Sequence, residues 1–538
     1  MDSWISTGLL LASQGSSLRS YRGLSSLLAL ILWQFTYPVH AEEACEQPAG
    51  RFASIEGSVE VQSGEAQGWR AAKLDHRLCE GDTIRVGEHS RAAVYLVNEA
   101  VLRIDRNTTM RLLHLSEKIE ERSLLDIIKG AFQSMSRQPR RLMVNTPYLN
   151  GMIEGTEFLV RVEDDRASIL VLEGKVLASN AAGSLKVAPG ESATAEAGKA
   201  PQPRIVVRPR NAVQWALYYP PVLYLRPDEF PPGPGWQGRV RQSIEFYLRG
   251  DLQKAFDSIA NVPETVPDPR FFAYRASLLL AVGRVDEANA DIGRALRLAP
   301  NDSNALALQA IIAVVQNDKD KALTIAQTAV AVAPNSATAL IALSYARQAR
   351  FDLEGARASL EKVVKLDPKN ALAWARLAEL WSSFGRLDRA LKAAQKAVAL
   401  DPDLSRTQTV LGFAYLTEVK VRQAKEAFEK AIALDQADPL PRLGLGLAKI
   451  REGDLHEGRQ EIEIAASLDP NNSIVRSYLG KAYYEEKRIP LDEREYAIAK
   501  ELDPKDPTPW FYDAIAKQTT NRPVEALRDM QKAIELND

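Results

Sequence analysis

Apolar positions recur along this chain with two different periods, and the change of period divides it. From about residue 269 to 538 a helical pattern returns every 34 residues, and one phrase closes each turn of it. The phrase reads Leu298-Ala299-Pro300, Val332-Ala333-Pro334, Leu366-Asp367-Pro368, Leu400-Asp401-Pro402, Leu434-Asp435-Gln436, Leu468-Asp469-Pro470, Leu502-Asp503-Pro504 and Leu536-Asn537-Asp538. Seven equal intervals predict a stack of two-helix units, each burying its apolar face on the next. Between about 50 and 197 the pattern alternates instead over short β-branched runs at 58–61, 83–86, 93–97, 101–104, 157–162 and 168–172. Gly81-Asp82, Glu173-Gly174 and Pro189-Gly190 punctuate them, which predicts an all-β domain, a sandwich or a β-helical ladder. The charged interruption at 113–141 reads as a helical or loop insertion.

The repeating part can be indexed with the proline of the phrase as position 32. Position 20 is Ala or Gly in every unit but the seventh, which has Asp492, and position 27 is Ala everywhere except Val363. Small residues there let the two helices of a unit approach closely. Position 4 carries the wedges Phe272, Leu306, Leu340, Trp374 and Trp510, and position 8 the small Ala378, Gly412, Gly446, Gly480 and Ala514. Gly283, Gly385 and Gly453 at position 15 predict a left-handed turn ending the first helix. Proline at position 32 stops the second. This register resembles the tetratricopeptide repeat (TPR), with eight units over 269–538 and a further, degenerate one at 239–268. The array ends without an added polar capping helix, so something else is expected to cover that end, a longer natural polypeptide being one explanation.

The TPR resemblance implies a superhelix whose concave groove binds a protein or peptide. Groove-facing side chains in that family come mainly from positions 2, 5, 9 and 12 of the first helix. The resulting binding candidates are Ile311, Ile341, Tyr345, Phe413, Leu447 and Tyr484, which suit an extended or helical apolar peptide. Packing between repeats is the alternative reading of the same residues. The Lys and Asn pair that makes a carboxylate clamp in some members is missing at positions 5 and 9 of every unit.

Arg19 and Arg22 precede the apolar stretch 24–35, which is followed by Val39-His40-Ala41. That order predicts a secretory signal over 1–41, cut after Ala41, with a retained anchor as the alternative. No later stretch approaches 18 apolar residues, so no stable membrane span is expected in the mature chain. The only cysteines, Cys45 and Cys79, are disulfide candidates in an oxidising compartment, with two free thiols as the alternative. His76 and Cys79 alone do not make a metal site, and no metal or cofactor is expected.

Within 42–197, Gly130-Ala131-Phe132, Val144-Asn145-Thr146-Pro147, Gly155-Thr156-Glu157-Phe158, Leu172-Glu173-Gly174-Lys175-Val176 and Pro189-Gly190-Glu191 stand in an order that resembles the FecR domain. In that family's best-known members the domain is the periplasmic part of an anti-sigma regulator that relays a transporter signal. The resemblance implies envelope location and protein–protein signalling. Those regulators carry a membrane helix before the domain, where this chain has a cleavable signal, so the domain is read here as a binding module. Glu154 and Glu157 are expected to hold structure rather than act as an acid–base pair.

The joint at 198–238 holds nine prolines and is expected to be stiff and extended, spacing the two parts rather than merging them. Inside it, 212–219 is too apolar for a solvated linker. It is expected to pack on the repeats or the β domain, with Trp215, Tyr218 and Tyr219 as alternative docking candidates for a partner. Sixty-eight Lys and Arg against seventy Asp and Glu leave no whole-chain field for nucleic acid. No phosphate loop, dinucleotide fingerprint or nucleophile elbow is present, and no enzyme is expected. The chain therefore reads as a multidomain periplasmic or secreted scaffold, an all-β FecR-like domain followed by an all-α TPR solenoid, with protein or peptide partners. The alternatives are a transporter-linked envelope regulator and the leading part of a larger outer-membrane protein.

Overall fold

A computed structural model describes residues 48–537 except 65–67, 119–120, 138–140 and 207. The signal-like stretch and Cys45 lie outside the described residues. Among the described residues, fifteen strands form one continuous sheet. They begin with β1 (Pro48–Glu56), β2 (Val59–Gln62), β3 (Arg70–Ala71), β4 (Arg77–Cys79) and β5 (Thr83–Val86). Then come β6 (Arg91–Leu96), β7 (Val101–Ile104), β8 (Thr109–His114), β9 (Ser123–Met135) and β10 (Arg141–Asn145). The set closes with β11 (Asn150–Val162), β12 (Arg166–Asn180), β13 (Gly183–Val187), β14 (Glu191–Glu196) and β15 (Gln202–Ile205). Pairing is antiparallel apart from β9 with β10, which removes the β-helical ladder. Phe52, Val94, Leu102, Phe132, Val160 and Ile169 lie in one shared core.

The stretch read as an inserted helix or loop holds a central strand instead. β9 pairs with β8 and β10 through its first half and with β7 and β11 through its second. Gly130, at φ +92°, separates the halves, and a Cβ there would lie 2.3 Å from Thr108 Oγ1. Ser123, Leu125 and Ile127 alternate inward, whereas Ala131 to Met135 are all buried because both of their faces are covered. Alternation vanishes from the sequence for that reason. The sheet also takes 202–205 out of the expected linker, since β15 pairs with β14.

Eighteen helices follow among the described residues, in nine antiparallel pairs. The first four are α1 (Trp236–Leu248), α2 (Leu252–Ile259), α3 (Pro269–Ala281) and α4 (Val285–Leu298). Next are α5 (Ser303–Val315), α6 (Lys319–Val332), α7 (Ala337–Gln348), α8 (Leu353–Leu366), α9 (Ala371–Ser383) and α10 (Leu387–Leu400). The remainder are α11 (Ser405–Thr417), α12 (Val421–Leu434), α13 (Pro439–Glu452), α14 (Leu455–Leu468), α15 (Ser473–Glu485), α16 (Leu491–Leu502), α17 (Pro507–Thr519) and α18 (Pro523–Asn537). Positions 8 and 20 meet as their small size requires. A Cβ on Gly446 would lie 2.6 Å from the Gly458 carbonyl oxygen, and one on Gly458 2.7 Å from that of Gly446. Asp492, the exception at position 20, is buried, and burial raises its carboxyl pKa.

The winding of the array is tight. Asn317 donates to the Leu502 carbonyl oxygen at 3.1 Å and Lys319 pairs with Asp503 at 2.8 Å, so the second unit touches the end of the seventh. One winding earlier, a Cβ on Gly250 would lie 3.8 Å from the Leu434 carbonyl oxygen.

Position 15 is left-handed in all eight units, not only in the three with glycine: Asn317, Phe351, Val419, Lys487 and Asn521 have φ between 58° and 62°. The geometry belongs to the helix–turn–helix itself, so the five side chains bear a local strain of about 1 kcal/mol or more each. Val419 is β-branched and 60% exposed, so its side chain returns little through packing. Val419→Gly is expected to stabilise the array by about 1 kcal/mol, read as a higher urea midpoint at unchanged slope.

Candidate interaction surface

The proline-rich joint does not hold the two parts apart; it binds them together. After β15 the chain makes a 3-10 turn at Pro209–Ala216 and then runs extended to a second one at Pro227–Glu229. Val213, Trp215 and Ala216 pack on Ala131, Leu159 and Leu170 of the sheet. Leu217, Tyr219, Val222 and Phe230 pack in the core of the first repeats. All three docking candidates, Trp215, Tyr218 and Tyr219, are therefore buried within the chain.

Hydrogen bonds set the course of this segment along the array. Tyr224 donates to Asp401 at 3.0 Å, Tyr218 to Asp435 at 3.1 Å, and Arg210 to Asn471 at 3.2 Å. The segment thus runs antiparallel to the order of the units, meeting the end of one second helix after another. Asp401 and Asp435 are the position-31 residues of the repeated phrase. Burial pushes the Tyr218 hydroxyl pKa well up, with Asp435 adding to the effect, so the phenol keeps its proton and donates.

A second set of contacts joins the sheet directly to the helices. Arg91 is fully buried and pairs with Glu56 of β1. It also donates to the carbonyl oxygens of Trp215 at 2.9 Å, Leu217 at 2.8 Å and Ala281 at 3.1 Å. Arg284 reaches Asp105 at 2.6 Å. Farther along, Arg442 donates to the Ala53 carbonyl oxygen at 2.7 Å and to Glu461 at 2.6 Å. Tyr95 donates to Glu463 at 2.7 Å, Glu99 accepts from Arg459 and Arg488, and Arg137 joins Glu173 to Glu495. Ala53, Ala93 and Val101 close over Ile464 and Leu468 of α14 between these charges.

Sequence reasoning missed this interface, although its signal was present. Position 4 loses its apolar wedge in three consecutive units, where Gln408, Arg442 and Arg476 stand. Those are the fifth, sixth and seventh units, and the sheet meets all three, the Ile55 N–H donating to Gln436 of the fifth at 2.8 Å. A wedge replaced by a buried arginine marks a unit that packs against something charged.

The six groove candidates differ in access. Ile311 and Ile341 are fully buried. Tyr345 is half-buried with the Arg376 guanidinium 3.7 Å from its ring centroid. Phe413 meets Phe428 edge-on at 4.9 Å, and Leu447 and Tyr484 are half-buried beside other repeat side chains. Glu157 is buried and accepts from Gln133 at 2.8 Å, a structural role, while Glu154 is exposed. A cleft of about 740 Å3 lies between His89 and helices α2 to α4, with the His89 ring stacked on Phe256 at 4.5 Å. Its Arg275, Arg294, Glu264 and Asp291 pair with one another. Among the described residues there is no cluster able to hold a metal ion, and no helix is long and apolar enough to cross a membrane. Cys79 is disulfide-bonded.

The charge network gives the fold opposing pH responses. Burial alone would raise Glu461, but Arg442, Arg51 and Lys449 hold its pKa down to about 2. That contribution is present above the ordinary carboxylate range and is lost as pH falls towards 2. Asp469 behaves oppositely, pushed by burial to about 6 against hydrogen bonds from Asn472 and Asn471. Between about pH 4 and 6 the native state then holds a proton that the unfolded chain has released, so this site's contribution falls as pH rises.

Two measurements check these assignments. Arg91→Met leaves Glu56 buried without its cation and is expected to cost about 3–5 kcal/mol in urea denaturation. Asp469→Asn is expected to raise stability at pH 7 by about 1–2 kcal/mol, and by much less at pH 4, in parallel melts.

Comparison with known proteins follows the same division of the chain. The family model described as FecR protein matches residues 82–177. Tetratricopeptide repeat models match 275–337 and 443–507, 348–412, and 405–438. No curated protein matches the chain. Among solved structures, the APC/C hetero-tetramer Cut9-Hcn1 is similar at 18% identity and a TM-score of 0.44, covering 59% of this chain and 62% of that one. TTC0263, a thermophilic TPR protein in Thermus thermophilus, is similar at 24% identity and a TM-score of 0.31, covering 34% and 99%. YrrB, described as a TPR protein with an unusual peptide-binding site, is similar at 22% identity and a TM-score of 0.23, covering 33% and 91%. A FecR domain joined to TPR units points to protein–protein interaction or a signalling adaptor.

Proposed function

We propose that this chain, in which a FecR domain precedes an array of tetratricopeptide repeats, is a protein-interaction adaptor of a bacterial cell envelope. The observation that carries the reading is the course of the 209–230 segment. It runs extended between its two 3-10 turns, is rich in proline and tyrosine, and is tied to successive units by tyrosine hydroxyls on helix-terminal aspartates. Extended backbone gives reach along an array, and side chains at fixed intervals give register. A partner would offer the same chemistry where Tyr345, Phe413, Leu447 and Tyr484 remain half-buried, the chain's own segment standing as its competitor. Envelope location is supported by the signal-like amino terminus and by a disulfide at Cys79, a bond that belongs to an oxidising compartment.

The test uses a fluorescent peptide of residues 209–230, titrated by anisotropy into the full chain and into a Tyr218→Phe, Tyr224→Phe variant. Both rings stay while both bonds to carboxylates go, at about 1 kcal/mol or more each. The variant is expected to bind the peptide about tenfold more tightly than the wild type, since its own segment competes less well. Undetectable binding to both would overturn the groove as a partner site and leave the outer surface of the sheet to that role.

A further inference from the structure

We propose that the buried guanidinium of Arg103 holds a small monovalent inorganic anion, of the size of chloride, between the sheet and the array. Nine arginines are buried among the described residues. Eight of them pair with a carboxylate of the chain. Arg103 makes no ion pair among the described residues, and its Nε and Nη1 atoms are enclosed without a hydrogen-bond partner. A charge is kept inside a protein only where a counter-charge offsets its lost hydration. The fold supplies that counter-charge eight times from its own carboxylates, so at the ninth position it comes from outside the chain.

Strand β7 shows how the position arises. Leu102 and Ile104 point into the core of the sheet, and Val101, Arg103 and Asp105 point to the array. Val101 packs on Ile464 and Leu468, and Asp105 takes Arg284. Arg103 stands between that apolar contact and that ion pair and belongs to neither. Its neighbours across the ladder are Ala93, which has no acceptor, and Gln133, a neutral amide whose oxygen is enclosed without a partner. A water joining Gln133 to Arg103 would leave the charge unbalanced. The carboxylates that act on Arg103, Glu56 and Asp469, are held elsewhere, by Arg91 and by Asn472 at 3.2 Å. Burial, with Arg91 adding to it, lowers the guanidinium pKa to about 9, so the group stays charged at neutral pH. Trp215 packs on Leu159, the residue opposite Gln133 on β11, and its indole N–H is likewise enclosed without an acceptor. One uncompensated positive charge calls for one negative charge, and a side chain only 1% exposed admits a small ion rather than an organic acid. The joint between the two domains thereby tightens with the chloride of the medium.

Urea denaturation of the full chain at constant ionic strength tests this, with chloride replacing gluconate. The midpoint is expected to rise by about 0.3 M between about 1 and about 100 mM chloride, at unchanged slope. Arg103→Met is expected to remove that dependence and to leave the midpoint without chloride no lower than that of the wild type, because a buried charge goes with it. Arg208→Met, at an exposed arginine, is expected to keep the dependence. Crystals grown with bromide are expected to show an anomalous peak beside the Arg103 guanidinium. Equal midpoints in chloride and gluconate overturn the proposal and leave the site to water or to a carboxylate of the chain. A dependence that survives Arg103→Met, or a shift with no bromide peak at Arg103, places the ion elsewhere and overturns it equally. A bromide peak without the shift in solution means binding at crystal concentration only and overturns it as well.

Discussion

The Arg91 guanidinium sits where the sheet, the 209–230 segment and the first repeat unit converge, and it bonds to all three. Glu56 balances its charge, and Ser54 fixes that carboxylate from the side at 2.8 Å. Three backbone carbonyls from two other parts of the chain take the remaining donors. An arginine suits this point because its planar fork serves several acceptors at once, which a lysine ammonium on a flexible stem does not. Remove the convergence and the segment loses its entry angle into the array, and with it the register of Tyr218 on Asp435 and Tyr224 on Asp401.

The rest of the interface repeats that logic at a second place. Arg442, Arg459 and Glu495 are buried on the sixth and seventh units, and strands β1, β7 and β9 or their adjoining turns supply partners for them, while the buried Arg476 pairs with Glu495 inside the array. Buried ion pairs of this kind contribute little net stability over a well-packed apolar contact. What they exclude is misplacement: a slide of the sheet by one residue would strand several charges without partners. The apolar contacts, Ala53, Ala93, Tyr95 and Val101 on Ile464 and Leu468 and Met135 beside Leu443 and Ile462, are too small to fix a position alone. Charge selects the geometry, and the small apolar patch closes it.

The repeating half of the fold was legible because a 34-residue period constrains both helices of a unit at once. The phrase set the helix ends, and small residues at positions 8 and 20 marked where the helices cross. The left-handed turn was visible only where glycine occupied it; Phe351 and Val419 adopt the same angle without announcing it. Strand β9 was hidden because its second half is covered on both sides and so does not alternate. The aromatic character of 212–219 correctly set it apart from a solvated linker, but its hydrogen-bond partner Asp435 lies 217 residues away from Tyr218. Only the loss of the position-4 wedge hinted that units five to seven face something other than each other.

In an open solenoid each unit touches its neighbours alone, so units are added or lost with little penalty. Here Asn317 and Lys319 of the second unit bond to Leu502 and Asp503 of the seventh, and the sheet touches both the first unit and the sixth and seventh. The array is thereby counted. Duplicating or deleting a single 34-residue unit between these anchors would rotate one clamp away from the other and break both. A lineage carrying this architecture would keep the number of units between these anchors fixed while its surface residues drifted.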